Sequence, residues 1–187
     1  MKTKILGLDI SSSTIGVSLI EQNDKNLKLK LLHYEYYKPP KEGSIFERLS
    51  AIKSYILEIL SKHKPDEVVI EDYIQFMSGG SGAKTIQLLA IINRTVGLTV
   101  YEKIGKVPHL LGVPTIRKLI KPEGYEGKVG KEEVPEIVAE ILGIKFPWEY
   151  NKKARAIIEN YDIADGIAVG IAWTKFRREQ MIKDIVE

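Results

Sequence analysis

Four acidic residues stand where the surrounding sequence is otherwise apolar. Asp9 closes the run Ile5-Leu6-Gly7-Leu8, and Glu71 closes Val68-Val69-Ile70. Asp162 and Asp165 interrupt the stretch Tyr-Asp-Ile-Ala-Asp-Gly-Ile-Ala. On a helix, residues three apart share a face, with Cβ atoms roughly 5–6 Å apart. A carboxylate at the C-terminal end of a central strand lies where open α/β sheets place their ligands. If the first and fourth strands are neighbours, Asp9 and Glu71 come side by side, and a final helix can lay Asp162 and Asp165 over them. Ala164, Gly166, Ala168 and Gly170 are small enough to let that helix approach the sheet closely.

Four converging carboxylates cannot all stay ionised without a counter-charge, because like charges raise one another's pKa. A hard divalent cation resolves the conflict, and oxygen-only ligands favour magnesium or manganese. Two such ions about 3.5–4 Å apart activate water and stabilise the leaving oxygen of a phosphodiester. Taken singly, each acid has an ordinary explanation. Asp9 can begin the turn Asp-Ile-Ser-Ser-Ser-Thr, Glu71 can be a solvated strand end, and Asp162 can favour a helix N-terminus. Together, at the ends of the right elements, they point to a metal site.

The elements that must position them follow from periodicity. Three strands open the chain, Lys4–Ile10, Ile15–Glu21 and Leu27–Tyr36, the last alternating at period two, with a hairpin turn over Gln22–Asn26. From Ile45 to His63 the apolar residues recur at helical spacing, and Ser44 with Glu47 forms a capping box. Glu67–Glu71 is a fourth strand whose continuous apolar run suits a central, parallel position. After Gly79-Gly80-Ser81-Gly82 comes a helix from about Lys84 to the region of Lys103, then a fifth strand over Val107–Val113. A short helix at Thr115–Ile120, a Gly- and Lys-rich loop at Lys121–Gly130, a helix at Lys131–Leu142 and a long one at Tyr161–Ile182 complete the chain. The fold class is therefore α/β, a mixed five-stranded sheet with its first three strands antiparallel and helices on both faces. The expectation is one domain over residues 1–187.

The composition is ordinary for a globular chain, 44% hydrophobic and 28% charged. Absence of cysteine excludes disulfides and thiolate metal sites. No apolar run reaches the roughly 18–20 residues of a bilayer span, and the N-terminus does not read as a signal peptide. A cytoplasmic protein without membrane partners or small-molecule cofactor is expected. The net charge of +3 permits nucleic-acid binding without demanding it. Basic residues gather between Arg117 and Lys131 and again at Lys175, Arg177 and Arg178. Such runs are ordinarily solvated faces and gain meaning only beside an active site. His33, His63 and His109 are scattered and fit surface or satisfied core positions better than ligation.

Three segments in this order resemble the RuvC family of Holliday junction resolvases, within the RNase H-like superfamily. Ile5 to Gly16 is similar to its opening motif, Val68 to Glu71 to its second, and Asp162 to Ala168 to its closing motif. The likeness runs through essentially the whole chain. It implies Asp9, Glu71, Asp162 and Asp165 as metal-binding catalytic acids, with two Mg2+ ions per site and Mn2+ as a substitute. It further implies a homodimer that nicks opposed strands of four-way junction DNA, leaving 5′-phosphate and 3′-hydroxyl ends. The helix after Gly82, carrying Ile86, Leu89, Ala90 and Ile92 or Asn93, resembles the family's dimerisation helix, although ordinary core packing explains it equally well. Tyr73 or Phe76 would stack at the opened junction. Arg117, Lys118, Lys121, Lys128 and Lys131 would meet DNA.

Three other readings compete. A sugar-kinase or actin-like ATPase shares an Asp-plus-small-residue opening but needs two related lobes, for which 187 residues without a repeat leave no room. A broader RNase H-like nuclease acting on branched or flapped DNA, or on RNA as YqgF-like enzymes do, would share the fold and metal chemistry. A catalytically silent junction-binding protein is disfavoured because all four acids are present.

Overall fold

The computed structural model describes residues 1–72 and 82–186, with side chains described through residue 183. Tyr73 and Phe76 lie outside the described residues. The strands are β1 (Lys2–Ile10), β2 (Ile15–Asn23), β3 (Leu29–Tyr37), β4 (Glu67–Asp72) and β5 (His109–Gly112). The helices are α1 (Ile45–His63), α2 (Ala83–Ile104), α3 (Val113–Ile120), α4 (Val134–Leu142) and α5 (Glu159–Val186). The sheet order is β3-β2-β1-β4-β5. β1, β2 and β3 pair antiparallel, while β4 joins β1, and β5 joins β4, in parallel. This is the mixed sheet that the sequence pattern implies.

Strand alternation divides the core. Leu6, Leu8, Val68 and Ile70 point to one face, where α1 and α2 bring Ile52, Ile56, Ile92 and Val96. Ile5, Val69 and Leu111 point to the other, covered by α3, α4 and α5. Asp9 follows the parity of Ile5 and Gly7, and Glu71 that of Val69, so both acids belong to the face that α5 covers. Ser44 and Glu47 close the expected capping box on α1.

α5 lies unusually close to the sheet. A Cβ on Gly16 would fall 1.9 Å from the Asp162 carbonyl oxygen, and one on Gly7 would fall 2.5 Å from that of Gly166. Ser18 Oγ donates to the same Gly166 oxygen at 2.8 Å. Farther along α5, Trp173 Nε1 donates to Glu67 Oε2 at 2.5 Å and Arg177 Nη1 to Glu67 Oε1 at 2.9 Å. Backbone contact near the N-terminal end and this polar clamp farther on fix where the helix lies, and therefore where its acids point.

Several element boundaries depart from the sequence reading, three of them with a clear physical cause. Leu27 is a turn residue with φ 58°, not a strand residue, because the chain reverses through Asn23 and Lys28. β5 is shorter than Val107–Val113, since Pro108 brings no N–H and Val113 already begins α3 with Pro114 in its first turn. The expected helix from Lys131 opens with a 3-10 turn, Lys131–Glu133, before α4 starts with Pro135 in its first turn.

Gly16→Ala should destabilise the protein by about 3 kcal/mol in denaturant unfolding, because backbone faces the added methyl and cannot yield. Gly97→Ala, within α2 and only 3.6 Å from a Pro108 side-chain atom, should be neutral or stabilising. Equal effects would mean that the close approach of α5 is not what Gly16 provides.

Candidate active site

Leu8 pairs with Ile70 across β1 and β4, so Asp9 and Glu71 emerge at the same level from adjacent parallel strands. The turn after Asp9 is held by Ser11 Oγ, which accepts the N–H of Thr14 at 2.9 Å and that of Ser13 at 3.2 Å. Asn93 on α2, buried, donates its side-chain amide to the Glu71 carbonyl at 2.9 Å and fixes the end of β4. Asp162 and Asp165 descend from the first turns of α5 on one face. All four acids predicted from the sequence thus come together at the C-terminal ends of β1 and β4.

Their electrostatics show the expected conflict. Burial first, and then the charges of Glu71, Asp165 and Asp162, push the Asp9 carboxyl well above the usual carboxylate range. Burial and then Asp165 lift Glu71 to about 7, against the opposing pull of Arg117 and Lys131. Burial raises Asp162 as well. Neither the Asp9 nor the Glu71 carboxylate enters any of the described hydrogen bonds or ion pairs. Asp9, buried, and Glu71, half-buried, neither with a hydrogen-bond or ion-pair partner among the described residues, form with the two helix acids an oxygen-only donor set of the kind a hard divalent cation takes.

Two cations already share the site. Arg117 Nη2, on α3, lies 2.6 Å from Asp165 Oδ1. Lys131 Nζ lies 3.5 Å from Asp162 Oδ1 and 3.6 Å from Asp165 Oδ2. Burial alone would lower the Lys131 pKa, but Asp165, Asp162 and Asp9 more than reverse this. Among the described residues, no three acidic or histidine side chains are grouped tightly enough to hold one cation. The pairs made by Arg117 and Lys131 provide counter-charge in this arrangement.

The other predicted contacts are differently placed. Lys118 and Lys128 are exposed, and Lys121 Nζ donates to the Gly127 carbonyl at 2.8 Å. Arg117 is not an exposed contact, its side chain being only 17% accessible. A cleft of about 410 Å³ beside Asp162 adds Lys38 and Lys41, which the sequence reading did not single out. Lys38 pairs with Glu159 at the start of α5. The signal available was Lys38 lying two residues beyond a strand expected to pair with the strand after Asp9. The histidines pair elsewhere. The His33 and His63 rings meet tilted with centroids 4.5 Å apart, and His109 stacks on Trp173 at 3.8 Å.

A family model described as crossover junction endodeoxyribonuclease RuvC matches residues 5–173. The RuvC of Dehalococcoides mccartyi strain 195 is 25% identical over 173 residues, spanning 90% of each chain. That of Carboxydothermus hydrogenoformans is 28% identical over 170 residues, 90% of this chain and 94% of that one. Among solved structures, Thermus thermophilus RuvC in complex with Holliday junction substrate superposes with TM-score 0.71 at 22% identity, covering 96% of both chains. The yeast mitochondrial Holliday junction resolvase follows with TM-score 0.61 at 15% identity, covering 95% of this chain and 80% of that one. These two likenesses establish the shared fold.

The raised Glu71 pKa carries a sign. A carboxyl lifted from 4.5 in the unfolded chain to about 7 in the fold lowers stability progressively as pH rises between those values, and fully above about 7. In chelator, Glu71→Gln should match the wild type near pH 4 and be more stable above pH 7 by about 1–3 kcal/mol in denaturant unfolding. A stability difference that does not change with pH would contradict the assigned environment.

Proposed function

The chain belongs to the crossover junction endodeoxyribonuclease RuvC family, and we propose that its carboxylate cluster cuts opposed strands at four-way DNA junctions. The family depends on a divalent metal. The observation that carries the reading for this chain is the pair Asp9, buried, and Glu71, half-buried, on adjacent strand ends, without a hydrogen-bond or ion-pair partner among the described residues and facing Asp162 and Asp165. In this proposal the four acids hold Mg2+, two ions per site, with Mn2+ able to substitute. When bound, the metal activates water and neutralises charge on the leaving oxygen. The products are 5′-phosphate and 3′-hydroxyl ends.

The chain's own groups do the rest. Asp9 and Glu71, anchored in the sheet, define a fixed floor. Asp162 and Asp165 complete the ligand set from α5, whose position the glycine contacts fix. Lys131, within 3.6 Å of both helix acids, meets a non-bridging oxygen of the phosphate being cut. Lys118, Lys121 and Lys128 meet flanking phosphates, which makes binding salt-dependent.

Paired nicking needs two sites, and α2 offers the means. Ile92, Val96 and Val100 face this protomer's core, so Ile92 and Asn93, named from the sequence for the dimer face, are interior residues. Ile91, Leu98 and Tyr101 instead form an outward stripe, 47%, 56% and 53% exposed. A second copy packing on this stripe gives a two-fold dimer. Leu98→Asp should halve the mass measured by light scattering, and an unchanged mass would assign the stripe another role.

With Mg2+, the protein should make symmetric paired nicks in a synthetic four-way junction and leave matched duplex intact, and chelator should abolish cutting. Asp9→Asn should slow cutting about a thousandfold, several kcal/mol of lost charge stabilisation, while junction affinity stays within a fewfold. Equal cutting of flaps or RNA–DNA hybrid would transfer the site to a broader branch nuclease. Wild-type rates in Asp9→Asn would overturn the metal site.

A further inference from the structure

Beside the carboxylate cluster lies a second cavity of about 420 Å³, lined by Arg117, Lys118, Lys121 and Lys128 with apolar and glycine residues, and by no acid. Arg117 belongs to both places. One terminal nitrogen, Nη2, is committed to Asp165 at 2.6 Å. The other, Nη1, is buried and makes no hydrogen bond among the described residues. A guanidinium cannot shed its proton, so Nη1 stays a donor that needs an acceptor even while Nη2 is paired. A buried donor left unpaired is costly, and a phosphate oxygen is a strong partner for a planar fork.

We propose that Arg117 couples this basic cavity, where a flanking phosphate of the bound strand sits, to the active site. A phosphate seated in the cavity draws the guanidinium away from Asp165 and frees that carboxylate to bind the divalent cation. The inference rests on the nuclease reading of the carboxylate cluster. In the free protein, Arg117 occupies Asp165 and weakens metal binding. With DNA in place, the cation and the phosphate each strengthen the other's binding by the same factor, as linkage requires. Arg117 is then a positioning residue that makes metal loading depend on substrate, with Lys121 and Lys128 holding the phosphate that competes for it. Full metal occupancy is thereby confined to protein that already holds a strand.

The test is Mn2+ binding by electron paramagnetic resonance to the full chain, with and without a saturating uncut duplex, corrected for Mn2+ held by duplex alone. Without DNA, Arg117→Gln should bind Mn2+ about tenfold more tightly than wild type, within the usual range of coupling between sites. Duplex should tighten Mn2+ binding to wild type by a similar factor and leave Arg117→Gln unchanged. Lys121→Gln/Lys128→Gln touches no carboxylate of the cluster. It should keep wild-type Mn2+ affinity without DNA and lose the tightening by duplex, and it carries the test if Arg117→Gln does not fold. Mn2+ affinity in Arg117→Gln at or below wild type, or undiminished duplex tightening in the double variant, overturns the coupling. Tight Mn2+ binding that Glu71→Gln abolishes but Arg117→Gln leaves alone overturns the coupling only. Failure of Mn2+ to bind any of these proteins, with or without duplex, overturns the metal reading too.

Discussion

Negative charge confined to a poorly solvated space is the condition around which this molecule is arranged. Asp9 and Glu71 emerge together from adjacent strands because Leu8 pairs with Ile70, and among the described residues neither carboxylate has a hydrogen-bond or ion-pair partner. Asp162 and Asp165 then bring two more acids from above. In such a medium like charges repel strongly, so protons, nearby cations or metal must neutralise the group. The Asp9 and Glu71 pKa values rise, and Arg117 and Lys131 pair with the helix acids. A nuclease needs the third, and the chemistry follows from the same repulsion that makes the site unfavourable without it.

Maintaining that concentration of charge requires a rigid frame. Gly7 and Gly16 on the sheet, against Gly166 and Gly170 on α5, permit backbone-to-backbone approach that no side chain would allow. At the other end, Glu67 receives Trp173 and Arg177 and fixes the direction of α5. Between these anchors α5 is buried from Ile163 to Thr174. The helix is thus held along its length, and Asp162 and Asp165 inherit their positions from its contacts with the sheet.

Much of this was legible in the sequence because it depends on local patterns. Apolar runs ending in Asp9 and Glu71 mark central strands with an acid at the tip. The spacing of Asp162 and Asp165 sets a helix face, and Ser44 with Glu47 marks where α1 begins. The element order and sheet topology followed. What escaped depends on tertiary placement. Arg117 reads as one cation in a basic segment, and only the packing of α3 against α5 turns it inward to Asp165. Ile91, Leu98 and Tyr101 look like core residues until α1 is seen to take the opposite side of α2. The pairing of Lys38 with Glu159 joins residues 121 positions apart, and no local pattern could have announced it. Pro108 and Pro135 are visible in the sequence, yet their effect is to shift boundaries by a few residues, where periodicity has least resolution.

On the proposed function, the four carboxylates hold divalent metal against DNA. The most direct measurement is anomalous scattering from crystals of the protein with four-way junction DNA, soaked briefly in Mn2+. The account predicts strong peaks within ligating distance, about 2.1–2.3 Å, of carboxylate oxygens from Asp9, Glu71 and α5, with Arg117 turned away from Asp165. Metal-free density in the presence of bound junction, with Arg117 and Lys131 still paired to Asp165 and Asp162, would contradict it.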